Sequence, residues 1–182
     1  QYPTVKVLLQ PSENQSLQSE LKEGKFDCAL FINPERLNDD IVTVDLIEEQ
    51  LVLVGPRQHR LTQMDAVPVE ELENEVLLLT EKGSYRELLE EVLNEARVQT
   101  QKISFWNIEA IKQSVKSGLG LSFLPKMTVI EELERGDLVH IPLTTGSFNV
   151  FTQLAYHEDK WITPALASFI DLVKEEAEGW KK

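Results

Sequence analysis

Residues 107–125 read NIEAIKQSVKSGLGLSFLP, and this stretch decides the class of fold. Asn107 can cap a helix, because its side-chain oxygen accepts a hydrogen bond from an N–H of the first turn. Gly118 suits the end of that helix, where a left-handed residue is common. Residues 121–124 then form a short apolar strand. Between these limits, apolar side chains recur at the spacing of one helix face: Ile108, Ile111 and Val115.

A second strand-like segment, residues 102–105, precedes this helix. The unit is therefore strand–helix–strand, with Trp106 and Asn107 at the carboxyl end of the first strand. Open α/β sheets bind ligands outside the carboxyl ends of their strands. The stretch thus indicates an α/β class and also the edge at which a ligand would bind.

The composition is that of a folded domain or of two small lobes. The 182 residues are 42% hydrophobic and include 8 glycines and 8 prolines. The formal net charge is -13. Because an acidic surface repels phosphate groups, we do not expect this segment itself to grip nucleic acid or an anionic membrane.

The sequence predicts no metal site, cofactor or disulfide. The one cysteine, Cys28, lies in a predicted buried strand and is interpreted as an inert core residue. Gly118 and Gly120 follow a helix, whereas the glycines of a dinucleotide fingerprint precede one, so we interpret both as structural. The three histidines are scattered and form no ligand cluster: His59, His140 and His157.

The sequence supports neither an enzyme nor a protein with a signal peptide or a membrane-spanning segment. No Ser/His/Asp or Cys/His arrangement and no paired carboxylates lie at predicted strand ends, so no catalytic residues are predicted and the chain is not expected to be an enzyme. No signal peptide or long apolar span is visible, so a cytoplasmic setting is expected.

Along the chain, apolar runs and helical periodicities alternate in a repeated β–α–β order. This order predicts an α/β protein with mainly parallel sheets. Each half contains a strand, a polar loop, an amphipathic helix and an apolar strand, and this weak similarity suggests two similar lobes with a cleft between them. The predicted strands are residues 5–9, 26–32, 41–46, 50–54, 75–79, 102–105, 121–124, 138–142 and 148–156. The predicted helices are residues 15–23, a short one at 69–72, 85–97, the helix after Asn107, 126–135 and a last one that begins at Pro164.

Several phrases resemble the effector-binding domain of LysR-type transcriptional regulators. The most recognisable is SVKSGLGLSFLP, and the resemblance covers nearly the whole chain. Any one phrase is weakly specific for this family, but the order and spacing of the phrases together are a strong sign of the resemblance. The phrases, in chain order, are YPTVKVLL, LKEGKFDCAL, LVLVGPRQHRL, SVKSGLGLSFLP, RGDLVHIPL and PALASFIDLV.

The resemblance implies a two-lobed fold like that of type 2 periplasmic binding proteins, with a small effector bound between the lobes. Lobe I is expected at residues 1–60 and 153–182, and lobe II at 61–152. The family's winged helix-turn-helix, and the first strand and helix of lobe I, would precede Tyr2. We therefore interpret the chain as a fragment.

The resemblance also points to residues that would contact the effector. Several of them have a structural alternative: a helix cap for Asn107 and Ser84, a turn for Asn33, and a core position for Phe105 and Trp106. Arg86 could add a charge or be a solvated helix residue. The candidate effector contacts are Gln10, Ile32, Asn33, Thr80, Gly83, Ser84, Tyr85, Phe105, Trp106, Asn107 and Ile108.

The expected function is ligand sensing for a transcriptional regulator. A small anionic metabolite, such as an organic acid or an amino-acid-like molecule, would bind and transmit a signal to the missing DNA-binding domain. The resemblance further implies a homodimer or homotetramer, with the helices at 15–23 and 85–97 as contact faces. The alternatives are an enzyme or a solute-binding protein of the same fold.

Overall fold

The computed structural model describes residues 5–10, 12, 14–33, 37, 40–80 and 83–180. The turn residues predicted around Pro11 and Pro34, and the loop residues Glu81 and Lys82, lie outside the described residues. The chain divides into two compact units. Unit 1 comprises Gln1–Glu48 and Phe151–Lys182, and unit 2 comprises Glu49–Val150. The lobe boundaries expected from the sequence fall later in the chain, and the assignment of lobes stays a prediction.

Five helices and seven strands make up the regular structure of the described residues. The helices are α1 (Asn14–Lys22), α2 (Ser84–Glu95), α3 (Ile108–Lys116), α4 (Ile130–Arg135) and α5 (Pro164–Trp180). The strands are β1 (Ala29–Asn33), β2 (Ile41–Pro56), β3 (Val76–Thr80), β4 (Gln101–Phe105), β5 (Ser122–Pro125), β6 (Leu138–Ile141) and β7 (Phe148–His157). Short 3-10 helices occupy Arg60–Gln63, Val69–Leu72 and Lys126–Thr128.

Several elements differ in extent from their predictions; the strand predicted at residues 26–32 is Ala29–Asn33, so Cys28 lies outside it and is only partly buried. The strands predicted at residues 41–46 and 50–54 are one continuous strand, β2. No glycine or proline interrupts this segment before Gly55, so the backbone continues through its polar residues. The helix predicted at 126–135 is instead a 3-10 turn followed by α4, because Val129, at φ -125°, breaks the helical path.

The strand predicted at residues 5–9 is absent from this structure. This segment lies in no strand, and its Leu8 and Leu9 side chains are 79% and 87% exposed. An isolated strand leaves its backbone N–H and C=O groups unpaired, and none of the described strands pairs with this segment. The apolar run is therefore present without the partner that a strand requires.

In unit 1, β7 lies between β1 and β2 in the sheet. Because side chains alternate along a strand, Leu154 and Ala155 of β7 face opposite sides. Ala155 packs in a cluster with Leu17 and Leu21 of α1. Leu154 packs in a second cluster with Ile170 of α5. Helices α1 and α5 therefore cover opposite faces of the unit 1 strands.

In unit 2, β3 and β4 pair in parallel, and β5 continues from a parallel bridge between Leu77 and Leu121. Val52 and Val54 of β2 pack with Ile111 and Val115 of α3 in the main core of this unit. The apolar stripe that defined α3 in the sequence thus faces this core, with Ile111 and Val115 buried and Ile108 partly buried, and it holds the helix against the strands.

Parallel pairing is less general than the sequence predicts. It holds β4, β3 and the start of β5 together, but the pairs β1–β7, β2–β5 and β2–β6 are antiparallel. A crossover helix imposes parallel direction, as α2 and α3 do between β3, β4 and β5. No single crossover helix links the partners in the other pairs, so their direction is not fixed in this way.

None of the described helices is long and apolar enough to cross a membrane.

Candidate functional site

Two parallel strands of unit 2 end side by side, and a helix begins shortly after each. Thr80 at the end of β3 lies opposite Phe105 at the end of β4. Helix α2 begins at Ser84 and α3 at Ile108. We call this region the strand-end edge, and eight of the predicted contacts belong to it: Thr80, Gly83, Ser84, Tyr85, Phe105, Trp106, Asn107 and Ile108.

Asn107 caps α3 as predicted. Its backbone is extended, and its Oδ1 accepts a hydrogen bond from the Glu109 N–H at 2.7 Å. This bond satisfies one of the early N–H groups that a helix leaves without an internal partner. It uses the amide oxygen, so the two Nδ2–H donors of Asn107 remain chemically suited to an anionic partner.

The start of α2 is built differently. Its N-cap is Gly83 rather than Ser84, and no side chain caps the helix with a hydrogen bond. Gly83 has φ +139°, a conformation that a residue with a Cβ rarely adopts. Ser84 begins the helix and is only 6% exposed. The N-terminus of α2 therefore lacks the side-chain capping hydrogen bond that the N-terminus of α3 has.

Arg86 connects α2 to the strand-end edge by hydrogen bonds, a role that the residues around it in the sequence did not indicate. Its Nη1 donates to the Thr80 carbonyl oxygen at 2.8 Å and to Ser104 Oγ at 3.0 Å. Its Nε donates to Glu90 Oε1 at 3.1 Å, one turn further along α2. The guanidinium thus links α2 to both strand ends. The spacing of Arg86 and Glu90 was the only signal in the sequence.

Arg86 shares the Glu90 carboxylate with a second cation. Lys102 on β4 also contacts Glu90 Oε1, at 3.1 Å. Burial alone would raise the pKa of Glu90, but hydrogen bonds from Lys102 and Arg86 outweigh it and lower that pKa below its usual value. Glu90 is therefore ionised at neutral pH, and Arg86 serves the scaffold of the edge.

We expect the substitution Arg86→Met to lower the free energy of unfolding by about 1.5–3 kcal/mol, the range for hydrogen bonds to charged groups. The loss follows from the side chain being 18% exposed and bonded to both strand ends. Urea denaturation measures it. Arg135→Met is the matched control, because its pair with Glu131 is largely exposed and should cost under about 1 kcal/mol. Equal losses in the two variants would contradict this role.

The aromatic residues of the edge divide between core and solvent. Phe105, Tyr85 and Ile108 are half-buried and pack against the main core of unit 2. Burial raises the pKa of the Tyr85 hydroxyl despite a hydrogen bond with Thr80. Trp106, in contrast, is 89% exposed. Phe105 thus packs against the core while Trp106 presents its ring to solvent, and effector contact by either residue stays a prediction.

Three of the predicted contacts belong to unit 1. Ile32 and Asn33 end β1, opposite Thr152 and Phe151 of β7. Gln10 is exposed and lies in no strand, so the prediction that it ends a lobe I strand is wrong in this structure. Within the described part of the chain, no group of three or more His, Cys, Asp or Glu side chains could hold a metal ion.

The sequence model of the family described as the LysR substrate binding domain matches residues 1–178. The "Uncharacterized HTH-type transcriptional regulator YwqM" of Bacillus subtilis is 36% identical over 176 residues, which cover 96% of this chain and 60% of that protein. The "HTH-type transcriptional regulator SoxR" of an Arthrobacter species is 31% identical over 184 residues, covering 100% of this chain and 61% of that protein. The chain thus spans about 60% of the length of these relatives.

Solved structures show the same fold. The regulatory domain of CcmR from Synechocystis, in complex with 2-PG, has a TM-score of 0.83 at 21% identity and covers 100% of this chain and 88% of its own. The effector-binding domain of QuiR, in complex with shikimate, has a TM-score of 0.73 at 22% identity, covering 94% of this chain and 81% of its own. The predicted type 2 periplasmic-binding-protein-like fold is therefore confirmed. With a family match over nearly its whole length, the chain belongs to the LysR substrate binding domain family.

Proposed function

We propose that this chain is the ligand-sensing domain of a LysR-type transcriptional regulator whose DNA-binding helix-turn-helix lies outside these residues. The support is the family match over residues 1–178, together with relatives that are named HTH-type transcriptional regulators and are longer than this chain. The net charge of -13 is consistent with DNA contact by another part of the protein, because an acidic surface repels the phosphate groups of DNA. A regulator that acts on DNA in a bacterial cell would work in the cytoplasm.

The effector that we propose is a small anionic metabolite held at the strand-end edge. The observation that carries this proposal is the pair of helix N-termini, at Ser84 and Ile108, beside the registered ends of β3 and β4. Helix N-termini present N–H groups and a partial positive charge, which favour carboxylate or phosphate. The structures of CcmR with 2-PG and of QuiR with shikimate support the class of ligand.

Contributions from Gln10, Ile32 and Asn33, and a position of the effector between two lobes, stay predictions. Effector binding can change the output only if the ligand favours one conformation of the regulator over another. At the strand-end edge, Arg86 links the two strand ends by hydrogen bonds, and the exposed Trp106 lies beside them.

A thermal-shift screen of organic acids, phosphorylated acids and amino acids tests the proposal, with 2-PG and shikimate included. A ligand present at a hundred times its Kd stabilises the folded state by about 2.7 kcal/mol. Specific stabilisation by one anionic compound, without its conversion, supports sensing. The alternatives of the same fold, an enzyme or a solute-binding protein, gain no support from the relatives, which are named as regulators. Turnover of a compound by this chain would overturn the sensing proposal.

Two substitutions test the position of the pocket with the compound that the screen selects. Ser84→Ala removes a hydroxyl from the start of α2 and should weaken binding about tenfold, the loss expected for one hydrogen bond to a charged group. Asn107→Ala removes the amide and should also weaken binding. Asn107→Asp keeps a good N-cap but adds a negative charge, so it should weaken anion binding while stability is preserved. Calorimetry measures the affinities.

The comparison of Asn107→Asp with Asn107→Ala separates capping from recognition. Loss of the cap costs about 1 kcal/mol of stability in the alanine variant and little in the aspartate variant. Both should bind the anion more weakly. If Ser84→Ala and Asn107→Asp both bind with unchanged affinity, the effector does not contact the strand-end edge.

We further propose that the chain associates as a homodimer or homotetramer. Helices α1 and α2 are the candidate contact faces, and β4 pairs only with β3 among the described strands, so its other edge is open. An open strand edge readily accepts another strand. Sedimentation equilibrium of the chain tests association, and a monomer at all concentrations would contradict it.

A further inference from the structure

Two polar side-chain atoms of unit 1 are buried without a hydrogen-bond partner among the described residues: Gln153 Oε1 on β7 and Thr43 Oγ1 on β2. Burial of an unsatisfied polar atom is costly, so folded proteins pair such atoms with a protein group or with a buried water. We propose that one ordered water molecule binds beneath α1 and bridges these two atoms. None of the predicted effector contacts takes part, so this proposal stands independently of the proposed effector site.

Asp45 fixes the orientation of the Gln153 amide. Gln153 Nε2 donates to Asp45 Oδ1 at 2.7 Å. A carboxylate accepts hydrogen bonds and donates none, so a flipped amide would place two acceptors against each other. The amide oxygen therefore belongs on the side away from Asp45. Because Gln153 is only 1% exposed, bulk solvent does not supply the donor that this oxygen requires.

The pairing of β2 with β7 places Thr43 near this oxygen. Glu158 N–H donates to the Asp40 oxygen at 3.0 Å, just beyond the ends of the two neighbouring strands. Five residues inward on each strand, Gln153 bonds Asp45, so the strands are antiparallel in this register. Thr43 then lies on the same face as Gln153, one diagonal step away.

The spacing of the two positions suits a water rather than a direct bond. Diagonal neighbours on one face of an antiparallel pair lie about 7–8 Å apart. A water that bonds two oxygens spans about 5.5 Å between them, twice the length of one O–H···O bond. It would donate to Gln153 Oε1 and either donate to or accept from the Thr43 hydroxyl. These two bonds meet the minimum that a buried water requires.

The surroundings shield this position from solvent. Ala155 follows Gln153 on the same face of β7 and pairs with Ala29 of β1. Both side chains are single methyl groups, which occupy little of the space over the sheet. Ala155 is fully buried and packs with Leu17 and Leu21 of α1. The bridging water would therefore lie between the sheet and α1.

A crystal structure of the chain, at a resolution that shows ordered water, tests the proposal. We expect one water within hydrogen-bond distance of both Gln153 Oε1 and Thr43 Oγ1. Thr43→Val removes the hydroxyl at similar shape and should at least halve the occupancy of this water, whereas Thr43→Ser should retain it. Thr152→Val is the matched control, because Thr152 lies on the opposite face of β7 and its substitution should leave the water in place.

Nuclear Overhauser spectroscopy between water and protein gives the same comparison in solution. A long-lived water should show a cross-peak to the Gln153 side-chain amide in the wild type and in Thr43→Ser, and lose it in Thr43→Val. A direct hydrogen bond from Thr43 Oγ1 to Gln153 Oε1, or a water that keeps full occupancy in Thr43→Val, overturns the proposal. A wild-type structure without water at Gln153 Oε1 also overturns it, and this test holds even if Thr43→Val does not fold.

Discussion

Replacing Lys112 with methionine should lower the free energy of unfolding by about 3–5 kcal/mol, the cost of leaving a buried charge without its partner. Lys112 Nζ lies 2.9 Å from Glu132 Oε1 and 2.7 Å from Glu109 Oε1. It also donates to the Thr128 carbonyl oxygen at 3.0 Å. The Lys112 and Glu132 side chains are only 10% and 9% exposed, so the substitution would strand the Glu132 carboxylate in the interior between α3 and α4.

The double variant isolates the cause of the loss. Lys112→Met combined with Glu132→Leu replaces the pair by apolar groups and should recover most of the stability, because such exchanges are often neutral or stabilising. Arg135→Ala breaks an exposed pair with Glu131 and should cost under about 1 kcal/mol. Urea denaturation of the four proteins gives the comparison. No recovery in the double variant would mean that lost packing, and not the stranded charge, explains the effect.

The effect of Lys112→Met should also depend on pH. Burial would raise the pKa of Glu132, but its hydrogen bond with Lys112 outweighs this and lowers the pKa below the usual value. A carboxylate with a lowered pKa stabilises the folded state above its unfolded pKa, and that contribution is lost as the pH falls through the folded pKa. In Lys112→Met the charge is no longer compensated. Burial then raises the Glu132 pKa in the variant, so the difference between wild type and variant should begin to shrink at a pH above the ordinary glutamate pKa and be smallest below the lowered pKa of Glu132 in the wild type.

Local signals in the sequence predict α3 and its surroundings well. Asn107 caps the helix, and the two hydrogen bonds that end it run from Gly118 N–H to the Val115 oxygen and from Leu119 N–H to the Ser114 oxygen. These bonds form a Schellman motif, which a glycine after the last turn predicts. Each of these features depends on residues within a few positions of one another, so the sequence alone can reveal them.

Features that depend on distant partners were not predictable in this way. The apolar run at residues 5–9 forms a strand only if another strand pairs with it. Likewise, the direction of β7 against β1 depends on a pairing across more than a hundred residues. At the strand-end edge, helix periodicity located α2, but the contact of Arg86 with Ser104 on β4 requires the fold to be known. Tertiary pairing, rather than local propensity, decides these cases.

The substitution Gly120→Ala should be among the most damaging single changes in unit 2. A Cβ at position 120 would lie 2.3 Å from the Val76 backbone oxygen and 3.0 Å from the Val76 carbonyl carbon. That oxygen accepts the Leu121 N–H at 2.8 Å, and Leu78 N–H donates to the Leu121 oxygen at 2.8 Å. The added methyl group therefore pushes β5 away from β3 at the point where the two are joined.

Overpacking of a well-packed interior costs about 1–3 kcal/mol and occasionally more. Because the obstacle here is backbone and cannot rotate away, we expect a loss of at least about 3 kcal/mol. Gly179→Ala is the matched control, since a Cβ there meets nothing within 4 Å and the position lies within α5. Alanine favours a helix over glycine by up to about 1 kcal/mol, so the same substitution should be neutral or stabilising there. Thermal and urea denaturation of both variants measure this contrast, and a Gly120→Ala protein as stable as Gly179→Ala would show that β3 and β5 do not approach this closely.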